Sequence, residues 1–138
     1  MRVYFMAPVR GIEGDAVSPA EKKENIGIAL QVADWVEQHF PDFNLFIPHK
    51  YEGILEIQMK QGIMTSEDII QMYETEAEEY KLGVRFTGNG KSPGADREQD
   101  AIIRSGGIVV AFEVTGDEAV ELIAKARVRV LEITGDSE

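Results

Sequence analysis

Apolar positions fall along this chain in two rhythms, short continuous runs and longer stretches at helical spacing. Val3-Tyr4-Phe5-Met6 is a β-prone run, broken by Pro8 and Gly11. Ser18-Pro19-Ala20-Glu21 then reads as a helix start: Ser caps, Pro suits the first helical position, and Glu completes a capping box. Ile26, Ala29, Leu30, Ala33, Trp35, Val36 and Phe40 continue at mostly helical spacing, which predicts a helix over residues 19–40, stopped by Pro41. Leu45-Phe46-Ile47 predicts a second strand, ended by Pro48. Residues 50–64 are ambiguous, with Ile54, Leu55, Ile57 and Met59 compatible with a short helix punctuated by Gly62. Thr65 and Asp68 form another capping-box pattern, and the helix they open runs to about Tyr80, with Ile69, Met72, Tyr73, Ala77 and Tyr80 inward.

Gly83-Val84-Arg85-Phe86 predicts a third strand, followed by the loop Thr87-Gly88-Asn89-Gly90-Lys91. Ser92-Pro93 opens a third helix by the same cap-and-proline logic, and Gly106-Gly107 ends it. Ile108-Val109-Val110-Ala111-Phe112 is continuously apolar, as a strand buried on both faces would be. A fourth helix is predicted over residues 117–126 and a fifth strand over 128–133. This alternation predicts an α/β fold: a three-layer sandwich around a five-stranded parallel sheet of order 2-1-3-4-5, flavodoxin- or Rossmann-like. One domain is expected over residues 1–134, with a polar tail at 135–138.

Composition narrows the function classes. Fourteen Lys and Arg face 25 Asp and Glu among 138 residues, a formal net charge of −11. That field repels a phosphate-backbone polymer, so no nucleic-acid partner is expected, although one small anion in a local cradle is compatible with it. No apolar run reaches the roughly 18–20 residues of a membrane span. The first residues lack the pattern of a secretory signal, so no membrane association and a cytoplasmic location are the expectations. The sequence contains no Cys, which excludes disulfides and thiol chemistry. Its two His are far apart and no carboxylate spacing around them suggests a metal, so neither metal nor cofactor is expected.

In a sheet of this order, ligands bind beyond the carboxyl ends of strands one and three, where strand order reverses. The segments there are Ala7-Pro8-Val9-Arg10-Gly11 and Thr87 to Gly94, both rich in Gly and Pro and both carrying a cation. The second leads into a helix N-terminus, where free amides favour an anion. Ser92 adds a hydroxyl, Gly94 permits close backbone approach, and Glu98 lies about one and a half turns into the helix. Each feature also has a plain reading. Gly-rich loops make turns without ligands, Ser92 caps the helix regardless, Glu98 is one of many acids, and Tyr4 suits a core. His49 reads as a loop residue, and His39 as a cation at a helix C-terminus.

Tyr4 to Gly11 resembles the first strand and loop of the nucleoside 2-deoxyribosyltransferase superfamily, which includes the 2′-deoxynucleoside 5′-phosphate N-hydrolases. Ser92-Pro93-Gly94-Ala95-Asp96-Arg97-Glu98 is similar to its S-x-G-x-x-x-E signature, and residues 106–110 to the turn and strand that follow. The resemblance implies cleavage of an N-glycosidic bond, with Glu98 as the nucleophile at C1′ and Tyr4 orienting it. Ser92 stands where phosphate-using members carry Ser, which favours a nucleoside 5′-monophosphate as the small-molecule substrate. Ala7, Pro8, Arg10, Gly11, Gly94 and Ala95 would complete the phosphate site. Lys81 occupies a position where many members have Asp, leaving Glu74 or Glu76 as the candidate second acid. A competing register makes Glu121 the nucleophile and ranks lower, because it leaves too few strands. Members are typically homodimers or larger, and Ile54, Leu55, Ile57, Met59 and Met64 serve either such an interface or the core. A nucleotide- or phosphosugar-binding module without catalysis is the alternative on the same fold.

Overall fold

The computed structural model describes residues 1–8, 18–88, 90 and 92–135. Its elements in chain order are β1 (Arg2–Met6), α1 (Pro19–His39), β2 (Asn44–Phe46), a 3₁₀ turn (Pro48–Tyr51), α2 (Glu52–Lys60), α3 (Ser66–Ala77), β3 (Leu82–Phe86), α4 (Pro93–Arg104), β4 (Ile108–Phe112) and α5 (Asp117–Thr134). The four strands form one parallel sheet of order β2-β1-β3-β4. Tyr4 is level with Phe46 on one side and Gly83 on the other. This is a doubly wound α/β arrangement compatible with a Rossmann-like fold.

Local chemistry sets where the helices begin. The Ser18 hydroxyl accepts from the Glu21 amide at 3.1 Å, with Pro19 at the first helical position. Thr65 and Asp68 close a reciprocal capping box: the Thr65 amide donates to Asp68 Oδ2 at 2.9 Å and the Asp68 amide to Thr65 Oγ1 at 3.1 Å. The Ser92 hydroxyl accepts from the Ala95 amide at 3.1 Å, again with Pro at the helix start. The capping box ties down two otherwise orphan backbone donors of α3, and Ser18 and Ser92 each tie down one in their own helix.

β1 is buried on both faces. Val3 and Phe5 point into a core shared with Ala29, Val36, Val84 and Ile123, from α1, β3 and α5. Tyr4 and Met6 point to the opposite face, where they meet Ala77, Tyr80, Ala95 and Ile102 from the α3 and α4 side. Helices therefore cover both faces of the sheet, α1 and α5 on one and α3 and α4 on the other. Gly83 allows α4 to sit close over β3: a Cβ there would lie 2.7 Å from Met6 Cε and 2.8 Å from Ile102 Cδ1, both fully buried. That close approach brings Glu98 down toward the strands.

Four expectations need correction. The sheet has four strands among the described residues, not five, because residues 128–133 continue α5 to Thr134. The β-branched Val128 and Val130, two positions apart, imitate a strand, but Ala119, Ile123, Ala126 and Val130 recur at helical spacing and are the residues buried. Val128 and Ile133 are exposed, and no Pro or Gly interrupts the helix before Gly135, whose φ of 73° provides a left-handed C-terminal cap. Without a fifth strand β4 is an edge strand. Ala111 is exposed and Ile108 and Val109 are half-buried, so it is not covered on both faces. Met72 is exposed rather than inward, and α3 ends at Ala77 with Tyr80 buried in the turn beyond it. Of the apolar residues around α2, Leu55 is core, Met59 and Met64 pack partly against it, and Ile54 and Ile57 are exposed. No described helix is long and apolar enough to cross a membrane.

Candidate active site

β1 has β2 on one side and β3 on the other, so the reversal of strand order falls at the carboxyl ends of β1 and β3. Ala7 and Pro8 leave the first of these ends, Thr87 and Gly88 leave the second, and α4 starts five residues after Gly88. Gly88 is required there, because a Cβ would collide with the Glu113 carbonyl and the Phe86 ring. Arg10, Gly11 and Lys91 lie outside the described residues.

Glu98 points inward from α4 and is only 8% exposed. Burial pushes its carboxyl up to about 8, against the opposing pulls of a hydrogen bond from Tyr4 and the positive charge of Arg85. Tyr4 comes from the middle of β1 and is fully buried. Its hydroxyl donates to the Tyr73 carbonyl at 3.5 Å, a long contact, and lies close enough to Glu98 to favour the ionised carboxylate. Burial first, and then the Glu98 charge, raise the Tyr4 phenol well above its ordinary range, so it stays a proton donor. The Tyr4 ring is held by Phe46 and Tyr80, each with its centroid at 5.3 Å. The Tyr73 hydroxyl donates to the Pro48 carbonyl at 3.2 Å, pinning α3 to the chain beyond β2. Chemically this is a carboxyl in a dry setting, aimed by a phenol and countered by one cation.

Ser92, Gly94 and Ala95 cap the same helix. Pro93 has no amide hydrogen, the Ala95 amide is taken by the Ser92 hydroxyl, and the Asp96 amide donates to the Ser92 carbonyl at 2.9 Å. Among the described residues this leaves the Gly94 amide available at the helix start, and a Cβ at Gly94 would meet nothing within 4 Å. Ala7 and Pro8 are buried, and the Ala7 carbonyl accepts from His49 Nε2 at 2.9 Å. They shape the exit from β1 rather than presenting side chains to a ligand.

The two candidate second acids lie elsewhere. Glu74 accepts from Arg97 at 2.8 Å and from Arg104 at 3.2 Å, and those two arginines hold its carboxyl below the ordinary range. An acid held ionised in this way is not a proton donor at neutral pH. Glu76 accepts from the Tyr80 hydroxyl at 3.1 Å and pairs with Arg2 at 3.9 Å, at the amino end of β1. Glu121, of the competing register, is exposed on α5 and paired with Lys125 at 3.2 Å. Lys81 donates to the Ser105 carbonyl at 2.6 Å, at the start of β3.

Two residues join the site that the sequence did not single out. Arg85 projects from β3 beneath α4, its side chain 12% exposed, and donates to Asp96 Oδ1 at 2.7 Å and Gln99 Oε1 at 2.9 Å. The available signal was a charge at the alternate, inward-facing position of a central strand. His49, 5% exposed, holds the end of β1 through its bond to Ala7. Because a carbonyl only accepts, Nε2 carries the proton, and Nδ1 is buried with no partner among the described residues. Burial pushes this imidazole down to about 4, so it is neutral. A groove of about 410 Å³ opens between α2 and α3, lined by Phe46, Tyr51, Ile54, Leu55, Met72 and Tyr73 among others, and Glu98 is not part of its lining. Among the described residues no group of three or more His, Asp or Glu is arranged to hold a metal ion. Comparison with family models, with curated proteins and with solved structures finds no match to this chain.

Proposed function

We propose that the protein cleaves the N-glycosidic bond of a nucleoside 5′-monophosphate, with Glu98 as nucleophile. The observation that carries this reading is a buried acid, aimed by Tyr4, on the helix that starts at the reversal of strand order. In the reading, a Glu98 oxygen attacks C1′, the C1′–N bond breaks, and the base leaves with the bonding electrons and takes up a proton. Water, or a second base in a transferase, then attacks C1′ and releases the carboxylate. A nucleophile must be ionised, and Tyr4 and Arg85 both favour that state. The phosphate would sit at the start of α4 beside Gly94, with Arg10 and Gly11 from the β1 loop. A homo-oligomer using the exposed Ile54 and Ile57 belongs to the same reading, and light scattering after gel filtration reports on it.

The test is a panel of ribo- and deoxynucleoside monophosphates, with free base read by chromatography. The wild type is expected to release base from at least one, and Glu98→Ala from none. Equal release by the variant would reject the site. A second reading, a nucleotide- or phosphosugar-binding module, is favoured by one observation: Glu74 and Glu76, the two candidate second acids, are both engaged in ion pairs. It predicts a thermal shift with ligand and no turnover.

A further inference from the structure

A charged side chain on the inward face of a central strand is costly to fold around, because the ion leaves water and must be repaired by exact partners. β3 is central, flanked by β1 and β4, and its residues alternate between faces. Leu82, Val84 and Phe86 enter the core under α1 and α5, as apolar residues should. On the α4 side the strand presents Gly83 and then Arg85. An apolar residue at position 85 would pack there without cost, so the arginine calls for an explanation.

The contacts supply one. Arg85 does not run out to solvent alone. Its two terminal nitrogens grip Asp96 and Gln99, residues on either side of Glu98 along α4. This fork fixes the guanidinium under the turn of helix that carries the buried acid. Among the described residues, the titratable groups facing Glu98 are Tyr4 from β1, Arg85 from β3 and Tyr73 from α3. On α4 itself Asp96 is paired with Arg85, and Arg97 is engaged with Glu67 and Glu74. Arg85 is therefore the one cation of that set. We propose that Arg85 is a positioning residue for Glu98, its guanidinium anchored by Asp96 and Gln99 so that its charge offsets part of the cost of burial and enlarges the ionised fraction of the neighbouring carboxyl available for attack. Asp96 is part of the device. It orients the guanidinium and at the same time offsets part of its charge, which leaves the carboxyl less strongly held than a bidentate Arg–Glu pair would leave it.

The activity arm of the test rests on the N-glycosidase reading; the titration arm does not. Glutamate carboxyl ¹³C shifts of the ligand-free protein, followed against pH, give the Glu98 midpoint, with Glu98→Gln assigning the signal. Arg85→Gln is expected to raise that midpoint by about one pH unit or more, the usual effect of losing an adjacent opposite charge. Arg85→Lys keeps the charge and is expected to restore most of the difference. Asp96→Asn keeps an acceptor for the fork but removes a negative charge, and is expected to lower the midpoint. An unchanged midpoint in Arg85→Gln overturns the proposal. If that variant fails to fold, the Asp96→Asn midpoint decides instead, and a rise or no change there overturns it. Where base release is measurable, the acid limb of kcat/KM should move up with the midpoint in Arg85→Gln, giving about tenfold lower activity at pH 7 that recovers at high pH. Loss of activity that is equal at every pH would mean a merely structural arginine. Absence of base release in every variant, with the titration as expected, would reject the N-glycosidase reading and leave the role of Arg85 standing.

Discussion

Replacing Glu98 with Gln should make the protein more stable, and increasingly so as pH rises. The folded protein holds the Glu98 proton until about pH 8, whereas the unfolded chain releases it near 4.5. Between those values the folded state carries a proton that the unfolded state has lost, so raising the pH favours unfolding. Below 4.5 both states are protonated and the penalty is absent; above about 8 both are ionised and it is complete. The interval spans 3.5 pH units, each worth about 1.36 kcal/mol, so the full penalty is of the order of 5 kcal/mol, with about 3 kcal/mol already present at pH 7. Gln has the shape of the neutral acid and does not ionise, so it escapes this penalty. For a chain of this length each kcal/mol moves Tm by about 3 °C, which puts the variant roughly 10–15 °C above the wild type at pH 9. Thermal and urea unfolding of both proteins at pH 4 and pH 9 measures the difference. The two should nearly coincide at pH 4 and separate at pH 9. A separation equal at both pH values, or a variant less stable than wild type at pH 9, would refute the argument that burial destabilises the ionised Glu98.

His49 gives the opposite limb. Its imidazole is neutral in the folded state down to about pH 4 but gains a proton near 6.5 when unfolded, so stability is lost as pH falls through that window. His49→Gln should flatten the loss between pH 6.5 and 4, read by urea unfolding across the range; a loss of unchanged steepness would contradict it. Val128 separates helix from strand at the chain's end: Val128→Lys, at a position 53% exposed, should change stability by no more than about 0.5 kcal/mol, whereas Val128→Pro should cost about 3 kcal/mol or more. Equal effects of the two substitutions would argue against an uninterrupted α5.

Features encoded by neighbouring residues were readable from the chain alone. The starts of α1, α3 and α4 fall within a residue of expectation, because Ser18, Thr65 and Ser92 act on amides three positions away. His39 likewise ends α1, donating from Nδ1 to the Trp35 carbonyl at 2.9 Å. The end of α5 was misjudged because β-branched residues at alternate positions satisfy a strand pattern and a helical one together, and burial of Ile123, Ala126 and Val130 against the sheet decides between them. Glu98 and Tyr4 are candidates that the sequence offers, yet neither the burial of the acid nor its cation is visible there, since Arg85 lies 13 positions earlier and meets α4 only across the β3–α4 turn. Glu74 and Glu76 looked equally suited to the site; their commitment to Arg97, Arg104, Tyr80 and Arg2 depends on how α3 faces α4 and β1.

The role assigned to Glu98 is tested most directly by trapping. A nucleoside 5′-monophosphate with fluorine at C2′ slows an oxocarbenium-like step and lets a glycosyl ester accumulate. Peptide mass spectrometry is predicted to find one sugar phosphate added to the fragment holding Glu98, and none in Glu98→Gln. Turnover of the natural nucleotide accompanied by a label on a different carboxylate would contradict it.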